Sequence, residues 1–427
     1  RIPRPLTIRS VALRRPADQS STSQWSKSHL PEPAQVAETG QGEQPEPEPA
    51  YPTAKVIASG LALAENLRGL GADVSPQVKT LGEVAEALAA LSKTSEVSKT
   101  SEVSVSEVSR YRELYFQARW AVRRMALANP LLDFDELLLV KRVPTAFTHM
   151  SDQYYGWFSR PGGGLYVLSG FKTGAPRLRL LTGALPEGSV LRPDLSYDGK
   201  RVVFAHCKHY PNLRGEPNKL DKGNVPEDAF YHVYEMNLDG TGLRRLTRGR
   251  YDDFDARYLP SGEIVFLSTR RGQHIQCGKA TAQASADGQA PDCYVRCGGG
   301  PERPVAVYTL HVMDGDGGNL RQISPFEMFE WTPSVDDQGR ILYARWDYVD
   351  RHNMPYMSLW STMPDGTNAQ AVFGNFTRSP HCFFEARSIP GSRKLISTGC
   401  GHHAFTGGSL VLLDCNKAVD GEAGMTR

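Results

Sequence analysis

No apolar run in these 427 residues approaches the ~20 needed to cross a membrane as a helix, so nothing reads as a spanning segment. Charge of one sign is also lacking. Lys plus Arg number 49 and Asp plus Glu 47, a net charge of only +2. That balance gives no electrostatic case for a nucleic-acid binder or for a protein held to an anionic membrane. There is no starting Met, and "RIPRPLTIRS" lacks the apolar core of a signal peptide. The sequence stops at "GEAGMTR", where a hairpin should be forming. It reads as a piece cut at both ends, so the missing signal peptide leaves location open. Cysteine is scarce and irregular: seven residues, at 207, 277, 293, 297, 382, 400 and 415. An odd, scattered set gives no regular disulfide framework; one or two bridges and a fully reduced chain both fit. No nucleophile elbow, Walker A loop or dinucleotide fingerprint stands in context.

What is present changes along the chain. Residues 1–53 are rich in Pro, Glu, Gln and Ser ("QGEQPEPEPAYP") and bury too little apolar surface to offset their ordering entropy, which predicts disorder. Residues 54–92 are Ala- and Leu-rich with helical spacing, and Gly71 and Pro76 divide them into two helices. A six-residue repeat, Lys-Thr-Ser-Glu-Val-Ser, fills residues 93–108 and reads as a linker. Residues 109–130 predict a stronger helix, with Leu114, Ala118, Ala121, Val122 and Met125 on one face and Arg opposite. Asn129-Pro130 ends it.

From residue 131 to 427 the pattern is strands. "YHVYEMNLDGTGLRRLT" (231–247) is an alternating stretch, an Asp-Gly turn and a second short stretch: a β-hairpin. It recurs at 308–324 and 357–373, more loosely at 163–182, and begins again at 407–423. A second hairpin motif alternates with it, at 193–207, 256–270, 333–347 and 386–400. Two hairpins repeating at blade length predict an all-β fold, a β-propeller of four-stranded sheets stacked face to face. Three full blades and parts of two more are visible in the sequence.

The order of an Asp-Gly hairpin, Arg-Arg-Leu-Thr and Asp-Gly-Lys resembles the TolB-type propeller repeat. The intervening segments are more specific. "NPLLDFDELLLVKR" (129–142), "HMSDQYYGW" (149–157), "RPGGGLYVL" (160–168), the stretches at 250–271 and 330–352, and 389–403 together resemble proteins carrying the middle domain of the hydrazine synthase alpha subunit. The resemblance covers about residues 110–427. It implies a TolB-like propeller, exported to the periplasm or otherwise outside the cytoplasm. In that family c-type haems are attached through Cys-x-x-Cys-His, a spacing absent from this chain, so the haem chemistry is not carried over.

Several residues are candidates for chemistry. Cys400, His402 and His403 lie on a loop after a strand and are a zinc or other transition-metal set, or a histidine packed under a neighbouring blade. His149 and Asp152 could join them as ligands, or act as a base and its orienting acid, or simply cap a turn. The first and last visible blades of a ring meet on closure, which would bring these five together. Asp252, Asp253 and Asp255 could hold Ca²⁺, or cap the blade turn and pair with Arg250 and Arg257. Glu330, Trp331, Arg345, Asp347 and His352, with Asp253 and Asp255, make a polar and aromatic set at the channel mouth. Salt bridges between blades or a binding mouth for a small ligand or protein partner would each account for it. Cys277, Cys293, Cys297 and His274 could form a small zinc site or a disulfide. The expectation is a binding or assembly scaffold without its own haem; the rivals are a metal enzyme at the mouth and a redox protein whose haem lies elsewhere.

Overall fold

A computed structural model describes residues 51–97, 105–146, 149–216, 222–270, 295–296, 305–326, 329–346, 356–402 and 406–426. Most of the segment read as disordered, and the Cys277, Cys293, Cys297 and His274 set, lie outside the described residues. The described residues divide into two compact units: those up to Leu137 with Leu168–Arg177, and those of Leu138–Val167 and from Leu178 onward.

The first unit is helical: α1 (Thr53–Gly69), α2 (Ser75–Val97) and α3 (Val105–Leu127). Gly71 ends α1 with φ +85°, a left-handed conformation that glycine adopts without strain. Asp73 then accepts the Ser75 N–H at 3.0 Å and starts α2. Ile57, Ala64, Leu67, Leu81, Val84, Leu114, Ala118, Ala121 and Met125 form the core. A Cβ at Gly60 would fall 2.7 Å from the side chains of Leu81 and Val122, so this glycine permits the close approach of the three helices. The linker expected over 93–108 is shorter than its repeat implied, since α2 runs through Val97 and α3 begins at Val105. The repeat contains neither Gly nor Pro, so nothing in it stops a helix already under way.

The second unit is built of strands. A three-stranded sheet comprises β1 (Glu136–Arg142), β2 (Gly163–Ser169) and β3 (Arg177–Leu180). A four-stranded antiparallel sheet follows: β4 (Gly188–Leu195), β5 (Arg201–Lys208), β6 (His232–Asn237) and β7 (Arg244–Arg245). The next contains β8 (Asp253–Tyr258) and β9 (Ile264–Ser268). A short ribbon, β10 (Val295–Arg296) with β11 (Val305–Ala306), precedes its outer strands β12 (Thr309–Met313) and β13 (Arg321–Gln322). The fourth sheet is β14 (Glu330–Val335), β15 (Ile341–Trp346), β16 (Met357–Thr362) and β17 (Gln370–Phe373). The fifth is β18 (Cys382–Ser388), β19 (Lys394–Cys400), β20 (Ser409–Asp414) and β21 (Met425–Thr426). One parallel pair, Met357 opposite Cys382, joins the last two. The architecture is all-β and of propeller type, with four full blades and a three-stranded first one; the described strands do not close a ring. The recurring hairpin of the sequence forms the outer pair of each blade, and the second motif forms the inner pair.

Blades cover one another with apolar faces. Val203 and Val233 of the second pack with Ala256, Tyr258, Ile264 and Phe266 of the third. On its other face Val190, Val202 and Phe204 meet Leu165 and Val167 of the first. The fifth blade departs from this rule. Ladder registers match Leu410 with Val233, Leu310 and Leu359, which are fully buried, yet Leu410 is 72% exposed. Ile396 on the neighbouring strand is 42% exposed, whereas its counterparts Val203, Val265 and Leu342 are buried.

Candidate functional site

The first strand of each of the last four blades carries the same irregularity. The ladder shifts between Leu191 and Asp194, Phe254 and Arg257, Trp331 and Ser334, and Phe384 and Arg387. Within these bulges stand Arg192, Asp255, Thr332 and Glu385. The last three have φ of +54°, +52° and +56°. Left-handed backbone costs an L-residue roughly 1–2 kcal/mol, and is least tolerable for a β-branched side chain such as Thr332. A bulge re-aims its side chain, and here all four are aimed at one place. Arg192 Nη1 donates to Asp255 Oδ2 at 2.7 Å, and its Nη2 lies 3.1 Å from Glu385 Oε1. The Glu385 N–H donates to Thr332 Oγ1 at 2.9 Å. One guanidinium from the second blade thus holds carboxylates of the third and fifth. Burial alone would lower its pKa, but Asp255, Tyr154 and Glu385 raise it well above the usual range.

A second tier lies two residues further along each strand. Asp194 Oδ2 accepts the Tyr258 N–H at 3.1 Å. Arg257 Nε donates to the Pro333 carbonyl at 3.0 Å, and Ser334 Oγ to the Ala386 carbonyl at 2.7 Å. Each bond stitches a first strand to that of the following blade. Arg387 holds the same place in the fifth blade and donates to the Ala386 carbonyl of its own strand at 2.9 Å. Burial, reinforced by the nearby Arg257 charge, holds it down to about 10. The two tiers contain three guanidiniums and three carboxylates, so buried charge is compensated within the cluster.

Residues 149–158 plug this cluster. The Tyr154 ring stacks on Phe254 at 5.0 Å, its hydroxyl accepts from Arg192 Nη2 at 2.8 Å, and the guanidinium lies over the ring at 5.3 Å. Burial raises the Tyr154 pKa, so the phenol is neutral. Gly156 packs so tightly on the Ala229 carbonyl that a Cβ would sit 1.8 Å away. Its N–H donates to Asp252 Oδ1 at 3.0 Å, and the same oxygen accepts the Tyr231 N–H at 2.9 Å.

The residues singled out in the sequence have separate fates. The three aspartates diverge. Asp252 holds the plug, Asp253 bonds Ser268 Oγ at 2.6 Å and the Arg270 guanidinium, and Asp255 takes Arg192. The three carboxylates point to different partners; Arg192 and Arg270 pair with Asp255 and Asp253, and the Arg257 charge also lies near Asp255. Glu330 accepts from the Leu310 N–H at 2.6 Å and Ser324 Oγ at 2.8 Å. Burial pushes its carboxyl up to about 7 against those bonds. Trp331 is packed among Tyr308, Phe329 and Phe384. Asp253, Asp255, Glu330 and Trp331, read from the sequence as channel-mouth residues, are all buried, with Asp253 and Glu330 the first residues of β8 and β14. The Arg345 guanidinium lies over Phe326 at 3.6 Å and Trp360 at 4.4 Å. Asp347 and His352 lie outside the described residues.

His149 Nδ1 lies 2.8 Å from Asp152 Oδ2 and 2.9 Å from Ser151 Oγ. Gln153 Nε2 donates to Thr406 Oγ1 at 3.4 Å, so the plug meets the loop after β19. His402 lies beside Trp346, ring centroids 5.7 Å apart, and Cys400 faces Cys382. Among the described residues no group of three or more His, Cys, Asp and Glu side chains could hold a metal; His403 lies outside them. Among the described residues no helix is long and apolar enough to cross a membrane. Sequence reasoning missed Arg192, Tyr154 and Glu385. Aligning Leu-Arg-Pro-Asp (191–194), Phe-Asp-Ala-Arg (254–257), Trp-Thr-Pro-Ser (331–334) and Phe-Glu-Ala-Arg (384–387) would have found two of them.

No family model matches the chain, and no curated protein does. Among solved structures it is similar to Kuenenia stuttgartiensis hydrazine synthase at 15% identity and TM-score 0.47, covering 69% of this chain and 38% of that one. It is similar to a putative TolB from Agrobacterium tumefaciens at 15% identity and TM-score 0.33, covering 58% and 61%. An oligogalacturonate lyase in complex with manganese shares 10% identity at TM-score 0.33, over 67% and 65%. Nothing about activity passes from these structures to this chain.

Proposed function

We propose that the chain is an extracytoplasmic propeller-type scaffold, and that the apolar face of its fifth blade takes a β-sheet of a partner chain. One observation carries this reading. Leu410 and Ile396 are exposed at positions that three other blades bury against a neighbour. Their chemistry suits another β-sheet with an apolar face. Arg387 stands at the edge of the same blade, where Arg257 in the third blade reaches a carbonyl of the next. The axial cluster supports the reading from the other side, because Arg192, Asp255 and Glu385 are engaged in holding blades together.

The test is a photo-crosslinking residue at position 410, with position 371 on the outer strand β17 as control, in full-length protein made in its native host. The expected result is one discrete crosslink from 410 to a strand segment of another protein, lost in Ile396→Glu; a crosslink within the same chain means that a further blade covers the face, and overturns the reading. No crosslink from 410, or equal crosslinking from 371, overturns the scaffold reading. A metal-dependent or haem-assisted enzyme is the second reading, favoured only by the meeting of the His149 segment with the Thr406 loop. Elemental analysis and a visible spectrum decide it. Stoichiometric transition metal lost in His149→Ala or His402→Ala, or a Soret band, would replace the scaffold reading.

A further inference from the structure

Cys382 is the first residue of β18 and Cys400 the last of β19, and they stand directly opposite each other in the ladder. Residues so placed have Cα atoms about 4.5 or 5.5 Å apart. Both values fall inside the ~4.4–6.8 Å that a disulfide accepts. The two thiols are within hydrogen-bonding reach of each other. No other described cysteine has this arrangement: Cys207 stands opposite Ser189, and Cys415 lies beyond the end of β20. Both thiols are buried, and burial raises the Cys382 thiol well above its ordinary range, so attack follows local opening that exposes it; neither belongs to the axial cluster.

We propose that Cys382 and Cys400 are a thiol–disulfide exchange site that takes a small-molecule or protein disulfide as its substrate. One thiolate attacks a sulfur of the donor and releases the first donor thiol. The second thiolate attacks the resulting mixed disulfide and releases the other. The protein loses two protons and two electrons, and the donor gains both as two thiols. Burial sets the rate through local opening of the hairpin ends, where β18 starts and β19 stops. The product has a structural consequence. Cys400 leads through His402 to Thr406, the partner of Gln153 in the plug. Cys382 pairs with Met357 of the fourth blade. A bridge fixes the root of the loop to the seam between the two blades, and so holds the plug more firmly over Arg192.

The whole chain is incubated with oxidised glutathione, denatured, alkylated with N-ethylmaleimide and mapped by peptide mass spectrometry. The expected product is a 382–400 linked peptide that dithiothreitol abolishes, with Cys207 alkylated. Amide hydrogen exchange over residues 149–158 should slow several-fold in the oxidised chain. Cys400→Ser leaves Cys382 to carry a glutathione adduct. Alkylation of Cys382 and Cys400 to the same extent as Cys207, under conditions that modify Cys415, overturns the site. A bridge that leaves exchange in 149–158 unchanged overturns its link to the plug. The mapping on unaltered protein needs no variant to fold.

Discussion

The outer hairpins and the first strands of the blades divide the molecule into what repeats and what varies. Outer hairpins look alike from blade to blade. Asp239 accepts the Thr241 N–H at 2.8 Å, and Asp365 accepts the Thr367 N–H at 2.9 Å. The glycines that follow them, Gly240 and Gly366, have φ of +97° and +86°. The first strands share a backbone irregularity while their side chains differ: Arg192, Asp255, Thr332 and Glu385. Repetition of chemistry marks the parts that are built alike. Repetition of geometry with changing chemistry marks the place where blades are joined.

The comparison breaks most visibly at Arg192. Arg192→Ala leaves Asp255 and Glu385 without their shared cation and should cost about 3–5 kcal/mol in a urea titration. A loss under 1 kcal/mol would mean that the cluster is ornament. Next come the buried titratable groups between blades. Glu330 is raised by burial from 4.5 to about 7, so the fold favours its protonated form. That contribution is full below pH 4.5 and is lost as pH rises through 7. Glu330→Gln should therefore gain about 3 kcal/mol relative to the parent between pH 4.5 and 7.5. His206 and His311 run the other way, held by burial down to about 4 from 6.5. Their contribution is full above pH 6.5 and is lost as pH falls towards 4. His311→Gln should flatten the acid limb of the stability curve by about 3 kcal/mol, read by denaturant titration at each pH. Tyr154→Phe removes an acceptor from the Arg192 guanidinium and should cost about 1.5–3 kcal/mol. The smallest effect belongs to the outer turns, where Asp239→Ala should cost about 0.5–1 kcal/mol. If it matched Arg192→Ala in thermal denaturation, the division between joining and repeating parts would fail.

The outer hairpins were legible because their signals are local. Period-two alternation and an Asp-Gly turn lie within one short window, and every predicted hairpin copy became an outer pair. The joining residues were illegible for the opposite reason. Arg192 and Glu385 meet through two bulges that no single window reveals, and the stretch from Pro193 reads as an ordinary hairpin from which Arg192 is cut off. Burial misled in the same way. Asp253 and Glu330 look like mouth residues because carboxylates are seldom buried; Ser268 and Arg270 on the next strand of its own blade make burial tolerable for Asp253, and Leu310 and Ser324 of the neighbouring blade do so for Glu330.

The Arg192 clasp also fixes an order of events during synthesis. Arg192 and Asp255 leave the ribosome before Glu385, by roughly ten seconds at ordinary elongation rates. For that interval the emerged chain contains Arg192 and Asp255 but not Glu385. Blades completed early are therefore finished late, when the distal strand arrives, and a ribosome stalled between residues 255 and 385 would present a half-built axis to chaperones and proteases.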